Sequence, residues 1–237
     1  MSRTVQSEWL KLTTTRTYLW IALANVALVV IAAISVAAST SEINSAADDR
    51  SIAQIAGVAI LFAFVGGIVV MAGESTHGTI TQTLLVTPVR ERVLAAKVVV
   101  AGLVGLALVV LSEALVLLIT VPGAGLSVHN ARLALLGSLL AGPLAGALGV
   151  GFGAVVRGQG AGIGISLLWL LIGENVVPLI SREGAKFAPG RTFSALASGS
   201  RDGSDVVPGM AAGGAAAAAW TALFVACGLF VLLGRDV

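Results

Sequence analysis

Residues 98–121 read VVVAGLVGLALVVLSEALVLLITV, 24 residues with a single charged side chain, Glu113. A bilayer core needs about 20 apolar residues in a helix that rises 1.5 Å per residue. Five other runs have the same character: Leu19–Ala38, Ile52–Gly73, Leu133–Val156, Gly160–Ile180 and Ala211–Leu233. Only Glu113 and Glu174 are charged within the six; the other 24 charges fall in the connecting 103 residues. No run alternates polar and apolar residues with the strand period, which excludes a membrane barrel. The chain therefore reads as an all-α membrane protein with six transmembrane helices.

The whole composition agrees. Hydrophobic residues make up 57% and charged residues 11%, against about 25% charged in an average soluble domain. A chain so poor in charge cannot coat a soluble globule, and one so hydrophobic is not disordered. The first run is too long for the apolar core of a signal peptide and follows 18 polar or amphipathic residues, so it reads as an uncleaved span. The one cysteine, Cys227, falls in the last run and reads as filler; an intrachain disulfide is excluded.

Basic residues favour the cytoplasmic side. With the amino terminus inside, cytoplasmic segments hold eight (Arg3, Lys11, Arg16, Arg90, Arg92, Lys97, Arg157, Arg235) and external ones six. Around the first run the contrast is three before against one after. Both termini are expected in the cytoplasm.

The connecting segments differ in character. Residues 1–18 read as an interfacial helix in which Val5, Trp9 and Leu12 share one face, with Tyr18 and Trp20 at headgroup level. Residues 39–51 are a polar loop. Residues 74–97 read ESTHGTITQTLLVTPVRERVLAAK. Here Ile80, Thr83, Leu84 and Thr87 fall on one helical face, giving an amphipathic helix over 74–87 whose apolar edge must bury against something. Gly78 supplies a tight turn into it. Thr87 and Pro88 stop it, capping and starting the next helix. His77 reads as a solvated residue, and Glu74 as either a charged contact or a cap at the end of span two. Span four carries Gly142-Pro-Leu-Ala-Gly146, a small-residue face for close helix packing, with Pro143 a possible kink. Arg157–Gly160 is a tight hairpin turn. Residues 181–210 form the longest external segment, with short helices dipping into the outer interface.

Glu113 and Glu174 lie about 9–12 Å below the outer boundary by helical rise. Charges in spans are costly and often functional. Two readings stand: a pathway or gating pair, or structural carboxylates bonded to the external segment through Arg182, Lys186 or Arg191.

Several chemistries are excluded. No phosphate-loop motif exists, since none of the three lysines follows a glycine. The two histidines, His77 and His129, fall on opposite sides of the membrane and cannot share a metal. No span contains a histidine, which removes a six-span serine protease. Scattered basic residues leave no nucleic-acid footprint. No cofactor is called for, and the chain reads as no enzyme.

The segment from Glu74 to Lys97 resembles the cytoplasmic loop of type-2 ATP-binding-cassette (ABC) exporter permeases. The resemblance rests on Glu74, Gly78-Thr79, Leu84-Leu85, Thr87-Pro88 and Lys97. The leader Glu8-Trp9-x-Lys11-Leu12, followed by Arg16-Thr17, is similar to that family's start. The resemblance implies one permease domain over 1–237 in the cell membrane. It also implies a separate ATP-binding subunit and a homodimer of permeases. Residues 74–87 would be the coupling helix, with Glu74, Gly78, Thr79, Ile80, Thr83, Leu84 and Thr87 as its contact residues. The alternative is a self-contained secondary carrier with six spans. Such carriers show inverted repeats and broken helices, and no clear repeat is visible here.

Overall fold

A computed structural model of the chain describes residues 2–39, 52, 54–86, 89–124 and 126–234. Among these residues every regular element is helical, and six helices are long and apolar enough to cross a membrane. In hydrocarbon only a helix satisfies its own backbone hydrogen bonds within one segment, so each apolar run becomes one span.

An amino-terminal helix, Ser2–Thr14, breaks at Thr15 and leads into span one, Arg16–Ser39. A single turn, Gln54–Gly57, opens span two, Val58–Thr76. A loop helix, Ile80–Val86, precedes span three, Arg90–Ala124. Span four is Val128–Val156. Span five comprises Gln159–Leu168, a π-helical turn Trp169–Gly173, and Glu174–Ile180. Two short helices follow, Arg182–Lys186 and Pro189–Ser198, the second termed the cap helix. Span six is Met210–Leu233.

The loop helix is shorter than the 74–87 expected from periodicity. Residues 74–76 continue span two, Gly78 turns in the left-handed region at φ 69°, and the helix begins at Ile80. Thr87, Pro88 and the loop 40–51 lie outside the described residues. Span three starts eight residues before its apolar run, so its helix projects well past the hydrocarbon at that end.

Spans two and four form the centre, each 61% buried, while spans one and five are 17% and 11% buried and lie at the periphery. Glycine sets how close the central helices come. A Cβ on Gly146 would stand 2.3 Å from the Ala101 carbonyl oxygen of span three, and one on Gly149 2.1 Å from that of Phe64 in span two. No larger residue fits there, which gives the small-residue face a packing role.

The cap helix departs from the expectation of a helix dipping into the interface. It tucks into the bundle, with Phe193 and Leu196 buried in the core beside Ala63, Val109, Ala141 and Ala217. Gly137 and Gly213 admit its backbone: a Cβ on Gly137 would meet the Leu196 carbonyl oxygen. Phe187, just before it, stays exposed.

Candidate functional site

The amino-terminal helix places an acid on its buried face. Glu8 and Leu12 point inward, whereas Trp9 and Leu10 are 47% and 63% exposed. Of the face expected from Val5, Trp9 and Leu12, Leu12 is buried and Trp9 exposed, and Glu8 turns inward to a buried partner. Leu12 packs with Val70, Met71, Leu94 and Val100 of spans two and three.

That partner is Lys97, whose side chain is 1% exposed. Its ammonium reaches Glu8 Oε2 at 2.7 Å, Glu74 Oε1 at 2.8 Å and the Val70 carbonyl oxygen at 3.2 Å. Lys11 completes the group. Its ammonium donates to Glu8 Oε1 at 2.6 Å, Glu74 Oε1 at 2.7 Å and Thr83 Oγ1 at 3.2 Å. The result is a closed ring of alternating charge, Glu8–Lys11–Glu74–Lys97, with zero net charge. Each ammonium has three donors, and each finds three acceptors here. Glu74 thereby makes its charged contacts within the chain, to Lys11 and Lys97.

The ring joins four elements that are distant in sequence: the amino-terminal helix, the end of span two, the loop helix through Thr83, and the projecting start of span three. Lys11 lies at the water-facing edge, with 44% of its side chain exposed. Burial alone would lower its pKa, but hydrogen bonds and charge attraction from Glu74 and Glu8 outweigh that and raise it above the ordinary lysine value. A cleft of about 600 Å³ opens beside the ring, bordered by Thr4, Ser7, His77, Gln82 and Gln159.

Two further ties hold this end together. Gln159 N–H at the start of span five donates to Thr76 Oγ1 at 3.1 Å, so the Arg157–Gly160 turn sits against the end of span two. Arg90 donates to the carbonyls of Leu232 and Leu233 at 2.9 and 2.8 Å, capping span six with a cation where its dipole favours one.

The remaining residues singled out from sequence fall as follows. Gly78 and Thr79 form the turn, with Thr79 N–H donating to the Glu74 carbonyl at 3.0 Å. Thr83 meets Lys11. Ile80 and Leu84 are helical in backbone. Leu85, the next residue, is 77% exposed. His77 is exposed, its Nδ1 3.1 Å from the Gly73 carbonyl.

Glu113 and Glu174 do not form a pair: no hydrogen bond or ion pair joins them. Glu113 is buried in span three, and its Oε1 has no hydrogen-bond partner among the described residues. Its neighbour Ser112 accepts from Asn25 of span one at 2.8 Å. Glu174 is bonded to the external segment, by the backbone rather than by a cation on its carboxylate. Gly190 N–H donates to Glu174 Oε1, while Arg191 donates to the Glu174 main-chain carbonyl at 2.9 Å.

Glu8, Lys11 and Lys97 were absent from the residues expected to form a site. The signal was present: Lys97 directly abuts a 24-residue apolar run in a chain with three lysines. A lysine at such a place needs a carboxylate.

Six helices long and apolar enough to cross a membrane, with a charge-locked, helix-bearing loop at one end, define a multi-pass membrane protein. The sequence model of the ABC-2 family transporter proteins matches residues 4–172, from the amino-terminal helix into span five, and the chain belongs to this family. It is thus the multi-pass membrane permease of an ABC transporter. No curated protein matches the chain.

Proposed function

We propose that the chain acts over residues 1–237 as one permease domain of an exporter in the cell membrane, driven by a separate ATP-binding subunit. The end that carries the ring faces the cytoplasm, as do both termini. Two copies of the chain enclose the pathway. The loop helix docks in a groove of the ATP-binding subunit through Gly78, Thr79, Ile80, Thr83, Leu84 and Thr87, while Glu74 couples that contact inward. The amino-terminal helix lies at the lipid interface with Trp9 and Leu10 outward, a placement suited to such side chains.

The observation that carries this reading is the ring. A push on the loop helix passes through Thr83 and Lys11 to Glu74 and Glu8, and then to Lys97 on span three. Span three is one uninterrupted helix of 35 residues, about 50 Å long at 1.5 Å per residue. It carries a displacement from the docking end to the far end as a rigid lever. Leu85, exposed among the described residues, gives the loop helix apolar surface for a partner.

The test is co-purification of the ATP-binding subunit with the full chain from membranes, beside Leu84→Asp. An apolar side chain buried at a partner contributes about 1.5–3 kcal/mol, and a charge adds desolvation. Leu84→Asp is expected to lose the partner and ATP-driven transport while the bundle stays folded. Ser200→Asp, at the opposite end, is expected to keep both. Partner retention and normal transport by Leu84→Asp would overturn the docking assignment.

A further inference from the structure

Opposite the ring, spans two, four, five and six and the cap helix enclose a cavity of about 520 Å³. That is within the range of small-molecule sites, about 300–1,000 Å³. Six of the chain's twelve aromatic residues line it: Phe64, Phe152, Trp169, Phe193, Trp220 and Phe224. Four of them form one continuous wall. Ring centroids lie 5.9 Å apart for Phe64–Phe152, 5.6 Å for Phe152–Phe224 and 6.0 Å for Trp220–Phe224. In a sequence with so few aromatics, half of them surround unfilled space instead of filling it.

One carboxylate closes this cavity. Glu174 is buried, lines it, and forms no direct ion pair with a described residue; the nearest cation, Arg191, is held at the Glu174 main-chain carbonyl rather than on its carboxylate. The backbone is shaped to place it there. Glu174 N–H donates to the Trp169 carbonyl, the five-residue step of the π turn. In an α-helix of 3.6 residues per turn, positions five apart face different sides; the wider turn brings Trp169 and Glu174 to one side. Such turns recur at functional sites. Gly173 gives the Trp169 ring room, since a Cβ there would stand 2.7 Å from it. Gly190 does the same for the carboxylate, which its Cβ would approach to 2.7 Å. Glu174, Gly190 and the cap helix lie beyond the residues matched by the family model.

We propose that this cavity, within a single copy of the chain, binds organic cations with an apolar or aromatic body, the aromatic wall holding the body and Glu174 the charge. Aromatic faces attract cations, and a buried carboxylate supplies the opposite charge that repels an anion of equal shape. The assignment rests on the permease reading and names its substrate class. It is measured on the chain alone, so its failure leaves ATPase docking untouched.

The experiment titrates the purified chain in detergent with tetraphenylphosphonium and tetraphenylborate, matched in shape and opposite in charge. Equilibrium dialysis against protein-free micelles gives binding, and tryptophan emission reports on Trp169 and Trp220. The cation is expected to bind at least about ten-fold more tightly than the anion, a 1.4 kcal/mol difference. Glu174→Gln, which keeps an acceptor for Gly190, is expected to remove that preference. Glu183→Gln, an exposed carboxylate on the neighbouring helix, is expected to keep it. Equal binding of the two ions by the wild-type chain would overturn the proposal without recourse to any variant. A cation preference that survives in folded Glu174→Gln would overturn it too.

Discussion

The two ends of the bundle bury carboxylates in opposite ways. At the ring end two glutamates meet two lysines in four ion pairs of 2.6 to 2.8 Å. At the cap end one glutamate takes a neutral backbone N–H and forms no direct ion pair, with Arg191 held at its main-chain carbonyl, beside an open cavity. Charges inside low-dielectric surroundings are tolerated only when paired and hydrogen-bonded. The first arrangement balances its charges within the chain and makes a joint. The second has no ammonium or guanidinium on the carboxylate itself, which faces the cavity with only a backbone N–H bonded to it.

The largest effect expected from breaking this contrast is at Lys97. Replacing it by methionine keeps the stem but gives the ring a net negative charge. Removing one partner of a buried pair costs about 3–5 kcal/mol. Reversible unfolding of Lys97→Met in mixed detergents should show that loss. The double variant Glu8→Gln with Lys97→Met removes one charge of each sign and should recover much of it, since residues in one network are not additive. A double variant as unstable as Lys97→Met alone would mean that packing, not charge balance, holds the joint.

Gly190→Ala probes the other end. A Cβ there would come within 2.7 Å of both Glu174 Oε1 and the Leu170 side chain. Overpacking of this kind costs about 1–3 kcal/mol, and the adjacent cavity gives the displaced groups somewhere to move. The unfolding loss should therefore stay below that of Lys97→Met. If the two were equal, the cap end would be as tightly determined as the ring, and the contrast would fail.

The spans were legible from the sequence because the signal is local: 20 or more apolar residues force a helix wherever lipid is the solvent. The small-residue face of span four was legible for the same reason. What sequence periodicity missed depends on long-range partners. Glu8 drew no notice as a buried residue because hydrophobicity alone cannot know that Lys97, 89 positions away, is waiting. Phe193 and Leu196 looked interfacial because their burial depends on glycines at 137 and 213 in other helices. The π turn that aims Glu174 leaves no mark in composition at all. The residues of the loop were found as a motif, but the ring they form had to be assembled in space.

The smallest expected effect belongs to Lys11, and it sharpens the comparison from within the ring. Lys97 is sealed from water, whereas Lys11 sits at the edge, so its contribution is screened and amounts to about 1 kcal/mol or less. Its folded pKa is raised. A raised lysine pKa gives stability that is fully present below the unfolded value and lost as pH rises through the folded value. The stability gap between wild type and Lys11→Met should thus be full at neutral pH and close only in alkaline solution, above about 10.4, where an ordinary lysine titrates. Added salt should narrow the same gap at neutral pH, because water reaches this pair of contacts. A gap that persists unchanged through the alkaline range would assign Lys11's role to its aliphatic stem, and the ring would reduce to Lys97 holding two glutamates by itself.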